Sequence, residues 1–187
     1  MSSLFVFCIY WSVGGNLEDS VFRSRETFNK EMREYFNPLI PNLPKTDLYN
    51  MYIDLDTRRW EEWKKQVTPF NYTENMPYFR ILVETPDTVR FKYLLSVLNN
   101  ATFNVLLMGN GGVGKSVIVK DYLYNLKKDL FIFATSTFSA QTSSNNVQNL
   151  FLDKLTARGR NLGPPSGKKM IFHFDDINMP KLDLYGA

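Results

Sequence analysis

Gly109-Asn110-Gly111-Gly112-Val113-Gly114-Lys115-Ser116 matches the pattern G-x-x-x-x-G-K-[ST] in full. The glycines let the backbone turn tightly and aim successive N–H groups at phosphate oxygens, at the positive end of the helix that follows. Lys115 is expected to neutralise the β and γ phosphates of ATP or ADP, and the Ser116 hydroxyl to take one Mg²⁺ position. Val117 closes the candidate set of nucleotide contacts as the helix leaves the loop. Residues 103–108 are a run of strand formers and 117–126 read as helix, the strand-loop-helix context that the motif demands.

A phosphate loop needs an acidic partner at the end of another buried strand. Met170-Ile171-Phe172-His173-Phe174-Asp175-Asp176 supplies one. Asp175 is expected at the carboxyl end of the strand, where open α/β sheets bind ligands, holding Mg²⁺ through water. Asp176 is the candidate water-orienting acid. It is shorter by one methylene than the Glu often found there, and a small misplacement of a catalytic group costs about 10²-fold. Tight ATP binding with slow or conditional hydrolysis is the expectation; the alternative is that a slightly shifted backbone makes Asp an adequate base. His173, the single histidine, is expected to be a packed, hydrogen-bonded core imidazole rather than a ligand or base.

Between the loop and this strand lie an apolar strand at 130–133, a polar stretch and a helix at 147–155. Strand, helix, strand, helix, strand is the order of a βαβαβ unit with a parallel sheet. The fold class is therefore α/β, a P-loop NTPase sheet with flanking helices. Ahead of it, Thr85 is placed to cap a helix that starts at Pro86 and runs to about Asn99, with Asp87 suiting its dipole. Its expected apolar face is Val89, Tyr93, Leu94, Val97 and Leu98. Ile81, Leu82 and Val83 form a short extended segment before it.

The first 75 residues read differently. Residues 4–13 are a nearly unbroken apolar run. A signal peptide is the rival reading, but no Lys or Arg precedes the run, which is far short of the roughly 18 apolar residues a spanning helix needs. A buried helix or strand is expected, with Cys8 an inert buried thiol. Apolar residues at Leu17, Val21, Phe28, Met32 and Tyr35 predict one helix over 17–36. Three prolines in 37–45 exclude regular helix there. Residues 48–55 and 60–63 predict a strand pair, with Trp60 and Trp63 as packing residues rather than a ligand cage.

The chain has 187 residues, 44% hydrophobic and 22% charged, which is a globular composition. Against 22 Lys+Arg stand 19 Asp+Glu, leaving +3 and no run of five like charges, so nothing marks a nucleic-acid tail. One cysteine excludes an intramolecular disulfide framework and a Cys-rich zinc site. Two glycosylation triplets, Asn71-Tyr72-Thr73 and Asn100-Ala101-Thr102, read as coincidences. At 15% the aromatic content is high, implying a large apolar surface to bury in so short a chain.

LLMGNGGVGKS at 106–116, TSTFSAQTSSNNVQ at 135–148, GPPSGKK at 163–169 and FHFDDINMPK at 172–181 together resemble the third AAA+ module of the dynein heavy chain. ETPDTVR at 84–90, FVFCIYWSVGGNL at 5–17 and NMYIDLDTRRWEEW at 50–63 resemble the connection between the second and third modules. The second Asp of DDINMP looks more like axonemal than cytoplasmic heavy chains. The resemblance implies a division into a connector and lid at 1–75 and the first part of the third module at 76–187. It further implies an ATP-driven microtubule motor built from six modules, with main hydrolysis in the first and a regulatory role for the third. Implied partners are neighbouring AAA+ modules of the same heavy chain, microtubules through distant parts, and dynein intermediate and light chains. Nucleic acid and membrane are not among them, and the implied location is cytoplasm, cytoskeleton and the axoneme of a cilium or flagellum. By position, Gly109 to Ser116 become the Walker A residues and Asp175 and Asp176 the Walker B pair, while Ile81, Leu82 and Val83 would lie near the adenine.

The family's strand order, 5-1-4-3-2, sets the strand ending at Met108 and the strand ending at Phe174 on either side of a fourth. That strand is not among these residues, so both would lose hydrogen-bonding neighbours. An incomplete sheet, and poor solubility of these residues alone, are expected. Two other readings stay open. One is a structural or regulatory nucleotide module without significant turnover. The other is an unrelated P-loop enzyme, against which stand the lack of an Asn-Lys-x-Asp guanine motif and of a lid with paired arginines.

Overall fold

The computed structural model describes residues 2–18, 23–71, 82–165 and 167–182. The chain divides into two compact units, 1–105 and 106–187.

In the first unit the apolar run forms helix α1 (Ser2–Ser12). Val6 and Tyr10, four apart and so on one face, are its buried residues. Cys8 is exposed, against the sequence expectation, because it stands two residues from each of them and points to the opposite side. A 3₁₀ turn, Gly14–Asn16, follows. Helix α2 (Ser24–Phe36) is shorter than the single helix expected over 17–36: Leu17 is already extended, with φ −72° and ψ 131°, and Val21 lies outside the described residues. Phe28 and Met32 pack against the core and Phe36 is buried, whereas Tyr35 is exposed and meets the Phe36 ring edge-on at 5.0 Å. Residues 37–45 contain turns and no helix.

Strands β1 (Met51–Ile53) and β2 (Trp60–Glu62) pair antiparallel, Tyr52 opposite Glu61, as the sequence predicts. Asp54 closes the turn by accepting from Asp56 N and Thr57 Oγ1. Trp63, 1% exposed, stacks on Tyr52 at 4.8 Å and meets Tyr93 edge-on at 5.3 Å, so it is a packing residue. Helix α3 (Pro86–Asn100) starts where expected. Thr85 Oγ1 accepts from Thr88 N while Thr88 Oγ1 accepts from Thr85 N, a reciprocal cap. Leu95 is its buried residue and Val97 and Leu98 are exposed, which corrects the expected apolar face.

Residues 103–108, at the boundary between the first and second units, form no strand. Their propensity is high, but a strand persists only through ladder partners, and among the described residues none pairs with them. Phe103, Leu106 and Met108 are instead exposed. Helix α4 (Lys115–Tyr124) follows the loop. Strand β3 (Phe131–Thr137) runs parallel to β6 (Lys169–Asp175), with Phe133 opposite Ile171 and Thr135 opposite His173. Between them come helix α5 (Ser144–Lys154), capped by Ser143, and a hairpin of β4 (Thr156–Arg158) and β5 (Asn161–Gly163) that the sequence did not announce. Alternation assigns the two faces of the pair. Phe151 of α5 meets Phe172 at 4.5 Å and Phe174 at 5.9 Å, and Tyr124 of α4 meets Phe133 at 5.4 Å. The sheet is thus parallel, two-stranded among the described residues, and covered by a helix on each side.

Candidate functional site

The phosphate loop is an open cradle. Gly112 and Gly114 have φ of 79° and 88°, values that favour glycine. A Cβ built at Gly111, Gly112 or Gly114 would meet no atom within 4 Å, so it is backbone conformation and not crowding that favours glycine at 112 and 114. Gly114 is the N-cap of α4, and the first turn of any helix carries N–H groups without intrahelical partners. Lys115 folds back over the loop, its Nζ donating to Gly109 O at 2.9 Å and to Asn110 O at 2.6 Å. Val113 and Val117 are exposed beside it.

Strand β6 ends at Asp175, at the carboxyl edge that the sequence predicts. Ser116 Oγ donates to Asp175 Oδ1 at 2.8 Å, joining residues 59 apart in the chain. Phe138 N also donates to Asp175 O, so the β3 end is tied to the same residue. Two oxygens that a hard cation favours are therefore adjacent, next to a loop of backbone donors and a lysine. That donor set fits a Mg²⁺-nucleotide.

Lys120, which the motif does not mark, also reaches the carboxylate, with Nζ 3.9 Å from Asp175 Oδ2. Its signal was available only as spacing, one helical turn beyond Ser116. His173 is half-buried rather than a satisfied core imidazole. Its Nδ1 has no hydrogen-bond partner among the described residues, and burial, with Lys120 nearby, holds its pKa below the ordinary value against the pull of Asp175.

Asp176 is exposed and left-handed, with φ 55°, and its carbonyl accepts from Met179 N at 3.0 Å. Ile81 lies outside the described residues; Leu82 and Val83 belong to the first unit and precede α3 without regular structure. Among the described residues there is no further cluster of His, Cys, Asp and Glu suited to a metal, and no helix long and apolar enough to cross a membrane.

The P-loop containing dynein motor region, as a family, matches residues 70–187, and the dynein heavy chain AAA lid domain matches residues 1–65. The chain belongs to the dynein heavy-chain motor family. Relatives share the lid and the loop together. Dynein axonemal heavy chain 6 of Homo sapiens is 40% identical over 189 residues, covering 98% of this chain and 4% of that protein. Dynein axonemal heavy chain 17 of Mus musculus is 35% identical, with the same coverage of 98% and 4%. The dynein-1-beta heavy chain of the flagellar inner arm I1 complex of Chlamydomonas reinhardtii is 34% identical over 97% of this chain and 4% of its own length. The chain thus spans about 4% of the length of these dynein relatives. The AAA+ fold class read from the sequence stands.

Proposed function

We propose that Gly109, Asn110, Gly111, Gly112, Val113, Gly114, Lys115, Ser116 and Val117 bind the phosphates of ATP or ADP, with Mg²⁺ held by Ser116 and Asp175. The site is the regulatory nucleotide site in the third AAA+ module of an axonemal dynein heavy chain, a motor that drives microtubule-based movement. The carrying observation is the 2.8 Å hydrogen bond from Ser116 Oγ to Asp175 Oδ1, which supports a shared metal locus at the mouth of the loop. The metal, when bound, neutralises charge between phosphate oxygens. Lys115 adds a second cation there and the loop amides orient the chain of phosphates. Residues 1–75 serve as connector and lid and 76–187 as the start of the module, with Ile81, Leu82 and Val83 beside the adenine. Partners are the neighbouring modules, microtubules through distant parts, and intermediate and light chains. The axonemal, flagellar and ciliary names of the relatives support a cilium or flagellum as the location.

Photolabelling of the heavy chain with an azido-adenine nucleotide, followed by mapping of labelled peptides, tests the reading. Lys115→Ala should abolish Mg²⁺-dependent labelling that competes with ATP and maps to this module. Undiminished labelling would remove the loop as the site.

A second reading, retention of nucleotide without significant turnover, is favoured by Asp176, a short acid that stands exposed on a left-handed backbone. In single-turnover measurements, Asp176→Asn should leave the rate at this site unchanged if the acid does no catalytic work. A loss of about 10²-fold would instead make Asp176 the water-orienting base.

A further inference from the structure

Helix α4 covers the Phe133 face of the β3–β6 pair, burying Ile118 and Leu123, and one stripe along it reaches the Asp175 end of the strand. Ser116, Lys120 and Tyr124 are spaced by four, so they lie one above the other. Ser116 engages Asp175 Oδ1 at 2.8 Å, Lys120 lies 3.9 Å from Oδ2, and Tyr124 meets Phe133. Both oxygens of the metal-locus carboxylate are therefore addressed by the same helix. One partner is neutral and belongs to the motif. The other is a cation that the motif does not require, half-exposed while Asp175 is mostly covered.

We infer that Lys120 is a positioning residue that fixes the Asp175 carboxylate and sets how weakly this site holds Mg²⁺. The inference rests on the nucleotide reading given above. An ammonium beside the carboxylate already satisfies part of its charge, and it repels a dication brought to the same locus. Two such charges a few ångströms apart change metal affinity by about tenfold even in a water-like dielectric. The site is thereby tuned so that nucleotide retention depends on free Mg²⁺ over a higher range than Ser116 and Asp175 alone would give. Arg at 120 preserves the charge and the reach; Met preserves only the aliphatic stem that covers the sheet.

The test is azido-nucleotide labelling of this module in the intact heavy chain, titrated with free Mg²⁺, for the parent, Lys120→Met and Lys120→Arg. Lys120→Met should lower the Mg²⁺ midpoint about tenfold, leave labelling in EDTA within about threefold of the parent, and Lys120→Arg should match the parent. A midpoint unchanged or raised in Lys120→Met overturns the inference, as does a tenfold loss of labelling in EDTA, which would make Lys120 a phosphate contact. Failure of the underlying reading is distinct: there Lys115→Ala keeps its labelling, whatever Lys120 does.

Discussion

At Asp176 the backbone itself constrains the chemistry. A left-handed φ of 55° is tolerated by Asp and Asn, whereas Glu there carries a steric cost of about 1 kcal/mol. The shorter acid thus suits the turn that Met179 N closes on Asp176 O. Asp176→Glu would mix added reach with added strain, and Asp176→Asn is the cleaner probe. Glu84 shows a residue of a different kind. It accepts from Thr68 N at 3.1 Å, from Thr68 Oγ1 and from Lys92 Nζ, fastening residue 68 to the start of α3. Burial alone would push the Glu84 carboxyl up, but the Lys92 and Thr68 hydrogen bonds outweigh it and hold it below its ordinary value. A carboxyl with a depressed folded-state pKa contributes stability above about pH 4.5 that is lost as pH falls through the lower folded value. Glu84→Gln should cost about 1 kcal/mol at pH 7 and flatten the acid limb, read as urea midpoints at pH 7 and pH 4. Equal midpoint losses in parent and variant on acidification would count against this fastening.

Elements differ in how far their residues declare them. The turn after α1 depends on Gly14: a Cβ there would stand 2.3 Å from Tyr49 Oη and 2.7 Å from a Phe28 ring carbon. Gly14→Ala should destabilise the first unit by about 1–3 kcal/mol, measured as a drop in its thermal midpoint, and an unchanged midpoint would mean that these rings yield freely. Helix α3 was legible to its first residue because Thr85, Pro86 and Asp87 are local signals that tertiary contacts do not override. The first half of β3, β6 and most of α5 were legible as dense runs of one periodicity, whereas residues 134–137 of β3 fell in a stretch that reads as polar connection. Residues 103–108 were not legible, since propensity for a strand says nothing of whether a partner lies alongside. The β4–β5 hairpin escaped notice because three-residue strands carry too few side chains to show alternation. In the candidate site, the loop residues and Asp175 were readable as spacing. Lys120 and the unpaired His173 Nδ1 were not, because each is defined by what the folded sheet sets beside it.

Across the whole molecule, apolar surface is distributed unevenly. The first unit holds a connected buried cluster of Val6, Tyr10, Phe36, Ile40, Leu48 and Tyr49, whereas Phe5, Tyr35, Leu39, Leu55 and Phe103 of the same unit, and Leu106, Met108 and Leu182 of the second, are more than half exposed. Part of the high aromatic content is thus buried, and Phe103, Leu106 and Met108 fall together in one segment whose side chains water does not favour. Light scattering of these 187 residues alone should therefore report association that rises with concentration, and Leu106→Lys with Met108→Lys should reduce it. A monodisperse parent would show that the segment finds cover within the chain. One property of the aromatic core reaches beyond packing. Trp11, Trp60 and Trp63 all fall in the first unit, and residues 106–187 contain no tryptophan. Excited at 295 nm, the chain emits from the lid side only, so the phosphate loop is optically silent. Any change in indole emission when nucleotide is added is then read at residues 11, 60 and 63 alone, an intrinsic reporter of the first unit that needs no dye.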